Sequence, residues 1–290
     1  MTRLGIIGSD SSHTEQYGGI LNGDLAVAGL RAVKLWGADR AEAERKAAVA
    51  GIPAVVDTVD AAMEGVDAVL VVNRNGADHY APAMRAIERR LPVFVDKPLT
   101  EDLDETIAVV RAARAAGVPL LSASALRYDT AIRGLARQLG ELGGPRGVTV
   151  AIHNDWALYG VHPVDLIVSI LGTGATDVYS ARDAFTDLVT IHWAGGRFGT
   201  IVQARQAFEA YYVTGYARGG IVATHASTEK LRNTYHAFYV ETIRVFHGML
   251  QTGRWPIDAE ELVQVIAVTV AADRSARERR VVPMAELARL

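Results

Sequence analysis

Cysteine is absent from this chain of 290 residues. Disulfides, thiolate nucleophiles and cysteine-ligated metals are therefore excluded, and no metal is expected. Long apolar runs are missing too. The longest are strand-sized, so no segment is expected to span a membrane. The sequence opens almost directly on an apolar strand, Leu4 to Ile7, with no basic stretch and long apolar run. No signal peptide is expected, and a cytoplasmic location follows by default. Neither sign of charge dominates. A net charge of −3 gives no support to nucleic-acid or anionic-membrane partners. The densest basic cluster, Arg277 to Arg280, reads as a solvated helix end.

What is present is enough apolar material for a sizeable core: half the residues are hydrophobic. The length suits one large domain or two medium ones. The first part alternates strand and helix. Strands are expected at Leu4–Gly8, Ala32–Trp36, Ala54–Val56, Asp67–Val72, Pro92–Val95 and Val118–Ser122, with helices between. Gly51 and Pro53 stop the helix that begins at Ala41. Thr100 is the expected N-cap of the helix that carries Leu103, Ile107, Val110 and Arg114 on one face. Such alternation implies right-handed βαβ crossovers and a doubly wound parallel sheet, a Rossmann-type domain over residues 1–124. The pattern then changes. Residues 125–290 are expected to form an α/β domain with an open, mostly antiparallel sheet. Its helices are expected at Val161–Leu171, Thr234–Leu250 and Ala259–Arg274.

Ligands of doubly wound sheets bind at the carboxyl ends of the strands. After strand one comes Gly8-Ser9-Asp10-Ser11-Ser12-His13. Against the dinucleotide fingerprint G-x-G-x-x-G, only the first glycine is kept. Asp10 and His13 stand at the other two glycine positions. The three hydroxyls and the helix N-terminus suit a phosphate; an ordinary capped βα loop is the alternative. Asp39, after strand two, is placed to hold the adenine ribose or to cap the next helix. Arg40 beside it could hold a 2′-phosphate. NAD is favoured over NADP. After strand four, Asn73, Arg74, Asn75 and His79 would line the nicotinamide side, although His79 could equally cap a helix. After strand five come Asp96 and Lys97. A lysine at the end of a buried strand is costly unless it has a partner or a task, and Pro98 helps fix its direction. In the second domain, His162 sits at a helix N-terminus, where the dipole keeps an imidazole neutral, as a general base requires. Asp165 lies three residues on and could orient the ring or contact substrate. A capping histidine without chemistry is the other reading.

Together these residues resemble the glucose–fructose oxidoreductase / inositol dehydrogenase (Gfo/Idh/MocA) family over nearly the whole chain. Val93-Phe-Val-Asp-Lys97-Pro98 looks like the family's Glu-Lys-Pro motif. Gly160-Val-His162-Pro-Val-Asp165 looks like its Gly-x-His-x-x-Asp motif. The tail, Gln251-Thr-Gly-Arg-Trp-Pro and the acid-capped helix leading to Val281-Val-Pro, is similar as well. The resemblance implies hydride exchange between NAD or NADP and a sugar or polyol carbon. Lys97 would hydrogen-bond the reacting oxygen and His162 would carry the hydroxyl proton. Arg127, Tyr128, Asn154, Asp155, Trp156 and Tyr159 would line the substrate pocket, with the site between the two domains. A homo-dimer or homo-tetramer through the C-terminal sheet, with Tyr211 and Tyr212 in the interface, is also implied. Two positions depart from the pattern: the broken glycine fingerprint, and Leu158 where many members carry an aspartate four residues before the histidine. They keep two alternatives open, a non-redox or transiently redox lyase, hydrolase or isomerase on a sugar-like substrate, and a catalytically silent binding homologue.

Overall fold

A computed structural model describes residues 1–23, 27, 29–206, 211–226, 230–231 and 235–287. The chain forms two compact units, Met1–Ala123 with Glu229–Asp258, and Ser124–Thr228 with Ala259–Leu290.

The first unit begins β1 (Thr2–Ile7), α1 (His13–Asn22), β2 (Leu30–Trp36), α2 (Arg40–Ala50), β3 (Ala54–Val55), α3 (Val59–Met63) and β4 (Ala68–Val71). It continues α4 (Tyr80–Glu88), β5 (Val93–Asp96), α5 (Leu103–Ala116) and β6 (Leu120–Ala123). The six strands form one parallel sheet in the order β3-β2-β1-β4-β5-β6. Strand order reverses between β1 and β4, and a crevice opens beyond the strand ends at such a reversal. The central strands β1, β4 and β5 are apolar because helices cover both of their faces. Leu4, Ile6, Leu70 and Phe94 are fully buried. α2 ends where Gly51 takes a left-handed conformation (φ 64°), as its composition predicts. The N-cap of α5 is Asp102, whose side chain accepts from Glu105 N–H, and not the expected Thr100. The Thr100 hydroxyl is spent on Asp102 O and on Thr106 Oγ1.

The second unit contains α6 (Thr130–Glu141), β7 (Pro145–His153), α7 (Trp156–Tyr159), α8 (Val161–Leu171), β8 (Ala175–Arg182) and β9 (Thr186–Trp193). β10 (Arg197–Ala204), β11 (Tyr211–Ala217) and β12 (Gly220–His225) follow. Two short strands, β13 (Lys230–Leu231) and β14 (Tyr235–His236), precede α9 (Ala237–Thr252); α10 (Ala259–Glu278) and β15 (Val282–Pro283) close the chain. The large sheet runs β12-β11-β7-β10-β9-β8-β15. Its pairs are antiparallel except β7–β10. α6, α8 and α10 pack on it. Leu188, Tyr212 and Ile221 remain exposed on its strands. The Arg277–Arg280 cluster does end a helix, with Arg280 paired to Glu278 and Glu286.

One late segment differs from the sequence expectation, which gave all of 125–290 to the second domain. α9 belongs to the first unit, where it packs on α1. Thr234, the expected start of that helix, lies outside the described residues.

Candidate functional site

In the first unit the chain leaves β1 at Gly8, whose φ of 108° is strained for any residue with a side chain. A Cβ there would lie 2.5 Å from Asn73 N, so the glycine lets the loop after β1 touch the loop after β4. Thr14 Oγ1 donates to Gly8 O (2.9 Å) and Ser11 Oγ to Val72 O (2.7 Å). Lys46, buried on α2 and unmarked by the sequence reading, donates to Ser11 O. Asp10 is turned onto the β4 loop: its carboxylate accepts from Arg74 N–H at 3.1 Å, and Arg74 Nε donates to Asp10 O. Ser12 stands at the N-cap of α1 with no side-chain cap bond.

His13 lies inward. Its Nδ1 bonds Asp96 Oδ2, and its Nε2 lies 2.9 Å from Tyr239 OH on α9. Asp96 is buried. Burial alone would raise its carboxyl, but the His13 contact and the nearby Lys97 charge outweigh this and hold it below the usual carboxylate range. Lys97 follows at the carboxyl end of β5. His79 stands at the N-cap position of α4, but its side chain makes no cap bond. Fully buried, it sets Nδ1 2.7 Å from Pro98 O and Nε2 2.9 Å from Asn73 O. The ring thus braces the turn after Lys97 against the β4 loop.

A cavity of about 1020 Å³ opens along this edge, lined among others by Ser9, Asp10, Trp36, Asp39 and Asn73. The Asp39 carboxylate caps α2 at Glu42 N–H, and the residue borders the cavity. Six carboxylates line the space (Asp10, Asp39, Glu42, Asp60, Asp78, Glu88) against one basic residue, Arg85, which is itself paired with Asp60. Arg40 is engaged by Glu44 and Asp57 and is not in the lining. Asp39 at the border of the cavity and the hydroxyl-bearing loop after β1 are groups that suit the ribose and phosphate of a dinucleotide.

In the second unit, nine of the eleven residues of α8 are buried, His162 and Asp165 among them. Polar groups in such a helix need partners. His162 Nδ1 lies 2.7 Å from Ser124 Oγ. Asp165 Oδ2 accepts from Ser124 N–H at 3.2 Å and lies 3.7 Å from Arg127 Nε. Asp165 therefore holds the serine backbone and the arginine, and the serine side chain holds the ring. Burial pushes the Asp165 carboxyl up to about 6 despite Arg127. Arg127, buried itself, also pairs with Glu261; its Nη1 has no partner among the described residues. The Tyr159 and Tyr211 rings flank His162, with centroids 5.3 and 6.4 Å away. His153, at the end of β7, stands 5.4 Å from Tyr159 and 5.2 Å from Tyr211.

The other expected substrate residues are placed unevenly. Asn154 has a left-handed backbone and caps Asp155 N–H. Asp155 is exposed, 3.7 Å from Arg205. Trp156 is buried against Gly160, and Tyr128 is buried with Arg133 over its ring. Leu158 is exposed. Ser124, His153, Glu261, Lys46 and Tyr239 were missed. Ser124 and His153 lie at or just past the ends of strands, the rule that singled out Lys97, and could have been found by it. Among the described residues no helix is long and apolar enough to cross a membrane, and no group of three or more potential ligands is placed to hold a metal.

A six-stranded parallel sheet of this order, with a glycine turn after β1 and a cavity at its switch point, defines a dinucleotide-type Rossmann domain. Residues 2–124 match the Gfo/Idh/MocA model, described as an oxidoreductase family with an NAD-binding Rossmann fold. It is 34% identical over 182 residues to inositol 2-dehydrogenase 1 of Mycolicibacterium vanbaalenii, covering 54% of this chain and 53% of that protein. It is 30% identical over 231 residues to inositol 2-dehydrogenase 4 of Saccharopolyspora erythraea, covering 69% and 65%. The matched stretch thus spans about half to two thirds of these relatives. The fold is that of myo-inositol dehydrogenase from Lactobacillus casei, solved with NAD(H) and myo-inositol: TM-score 0.83, 18% identity, 98% of this chain and 96% of that one. Myo-inositol 2-dehydrogenase from Lactobacillus plantarum gives 0.84 at 14% identity, covering 97% and 99%.

Proposed function

We propose that this protein is an NAD-dependent dehydrogenase that oxidises a secondary hydroxyl of a cyclitol or sugar. The observation that carries the reading is Lys97, held at the carboxyl end of β5 on the edge where the switch-point cavity opens. The inositol 2-dehydrogenase relatives support the substrate class. The acidic lining supports NAD rather than NADP.

Gly8 allows close approach of the loop, and Asp39 accepts from the ribose hydroxyls. When bound, NAD supplies the acceptor for a hydride. The Lys97 ammonium hydrogen-bonds the reacting oxygen and stabilises the charge that grows there. His162 takes the hydroxyl proton during oxidation and returns it during reduction. Tyr159 and the Arg127–Asp165–Glu261 cluster shape the polar substrate side. The activity is cytoplasmic, and the protein self-associates through the sheet face that exposes Tyr212 and Ile221. Incubation of the purified protein with NAD and a panel of cyclitols and sugars tests the reading. It predicts reduced nicotinamide in amounts equal to the ketone formed. NAD binding without any substrate-dependent reduction across the panel would sink it.

A further inference from the structure

We propose that Arg74 is the phosphate-binding residue of the switch-point site, and that Asp10 is the anion it holds until a dinucleotide arrives; the inference rests on the NAD-dependent reading of that site. The Asp10 carboxylate reaches from the loop after β1 to the loop after β4. Both of its oxygens lie on Arg74 N–H, at 3.2 and 3.1 Å. In return, Arg74 Nε donates to Asp10 O at 3.0 Å. The two loops are fixed to each other close by, where Ser11 Oγ donates to Val72 O and Gly8 makes room for Asn73. The Asp10–Arg74 pair therefore crosses the strand ends at the β1–β4 reversal, where a dinucleotide lies in such a fold. Asp10 and Asn73 line the cavity there, and Arg74 stands exposed beside them.

A fingerprint glycine at position 10 would offer a pyrophosphate nothing but backbone. Here a carboxylate stands in that place and accepts a backbone N–H, as a phosphate oxygen does. Left beside a pyrophosphate it would be repulsive. Two observations let it leave. Asp10 is exposed, so its charge turns to water at little cost. The Arg74 guanidinium makes no ion pair among the described residues, with Asp10 or any other carboxylate, and its Nη groups have no hydrogen-bond partner there. A guanidinium anchored at Nε presents both Nη groups as a fork that matches phosphate. The other cations of this edge are engaged. Lys46, bonded to the loop at Ser11 O, also lies 3.6 Å from Glu42, and Arg85 pairs with Asp60. Arg74 thus passes its backbone N–H from Asp10 to the pyrophosphate and adds the Nη fork, while Asp10 turns to solvent.

Spectra of the full chain labelled with ¹⁵N-arginine read the exchange without turnover. ADP moves the Arg74 backbone amide and Nε signals, and adenosine, which lacks the phosphates, leaves them in place. Calorimetry on the same proteins gives the affinities. R74A binds ADP and NAD about 10-fold more weakly than wild type and D10N binds them about 3- to 10-fold more tightly, with adenosine changed by less than about twofold in both. R74K falls between R74A and wild type, because an ammonium keeps the charge and loses the fork. Arg74 signals unmoved by ADP, R74A affinities within about twofold of wild type, or a D10N protein that binds ADP no more tightly than wild type overturns the proposal. If any of these is found while the wild type oxidises a cyclitol with NAD, the dehydrogenase reading stands and only the role of the Asp10–Arg74 pair falls. If ADP and the variants behave as expected but no cyclitol or sugar of the panel reduces NAD, Arg74 keeps its role and the dehydrogenase reading falls.

Discussion

The His13 ring bonds the buried carboxylate of Asp96, so the residue in place of the fingerprint's third glycine pairs with the residue that precedes Lys97. The departure from the glycine pattern is therefore occupied by a specific contact. Its second nitrogen reaches Tyr239 on α9, which ties a late segment to the first unit.

Restoring the glycine should hurt. His13→Gly leaves Asp96 buried without this partner, at a cost of about 3 kcal/mol. Urea unfolding should show a lower midpoint, and adding Asp96→Asn should recover part of the loss. Because the folded-state Asp96 carboxyl titrates below its usual range, its stabilising share is present above the unfolded pKa and is lost as pH falls through the folded one. An unchanged midpoint in His13→Gly would contradict the pairing.

Asp165 behaves in the opposite sense. Its folded-state carboxyl is raised from 3.8 to about 6, so ionisation penalises the folded state. Stability should decline between about pH 4 and about pH 6, by on the order of 3 kcal/mol, and level off above. Asp165→Asn should lack this slope when unfolding is measured across that window. An identical slope in the variant would place the raised group elsewhere.

Lys97→Met should lower kcat by about 10²- to 10³-fold, as expected for removal of a donor to the reacting oxygen, with NAD affinity within about threefold of wild type. Lys97→Arg should not restore the rate, because a forked guanidinium does not reproduce a point ammonium. Steady-state kinetics with calorimetry separates the two effects; a loss confined to cofactor binding would move Lys97 out of the chemistry.

The parallel unit was legible because its strands are short apolar runs and a stop such as Gly51 punctuates its helices, and Lys97 was singled out by the rule that ligands meet strand ends. What escaped was long-range or locally degenerate. Nothing near Ser124 announces a partner 38 residues away. α9 lies more than 200 residues beyond α1 in sequence yet packs on it, as the 226-residue separation of His13 and Tyr239 shows. At the start of α5 both Thr100 and Asp102 are good caps, and the competing Thr100–Thr106 bond decides for Asp102. His79 sits at a helix start by sequence, but its ring turns to two carbonyls.

The most direct test is calorimetric titration of the purified protein with NAD and with NADP. The acidic switch-point cavity predicts a one-to-one NAD complex, NADP binding at least about tenfold weaker because its 2′-phosphate meets Asp39 and Glu42, and a loss of that preference in Asp39→Ala. No heat from either dinucleotide, or a preference for NADP, would contradict the account.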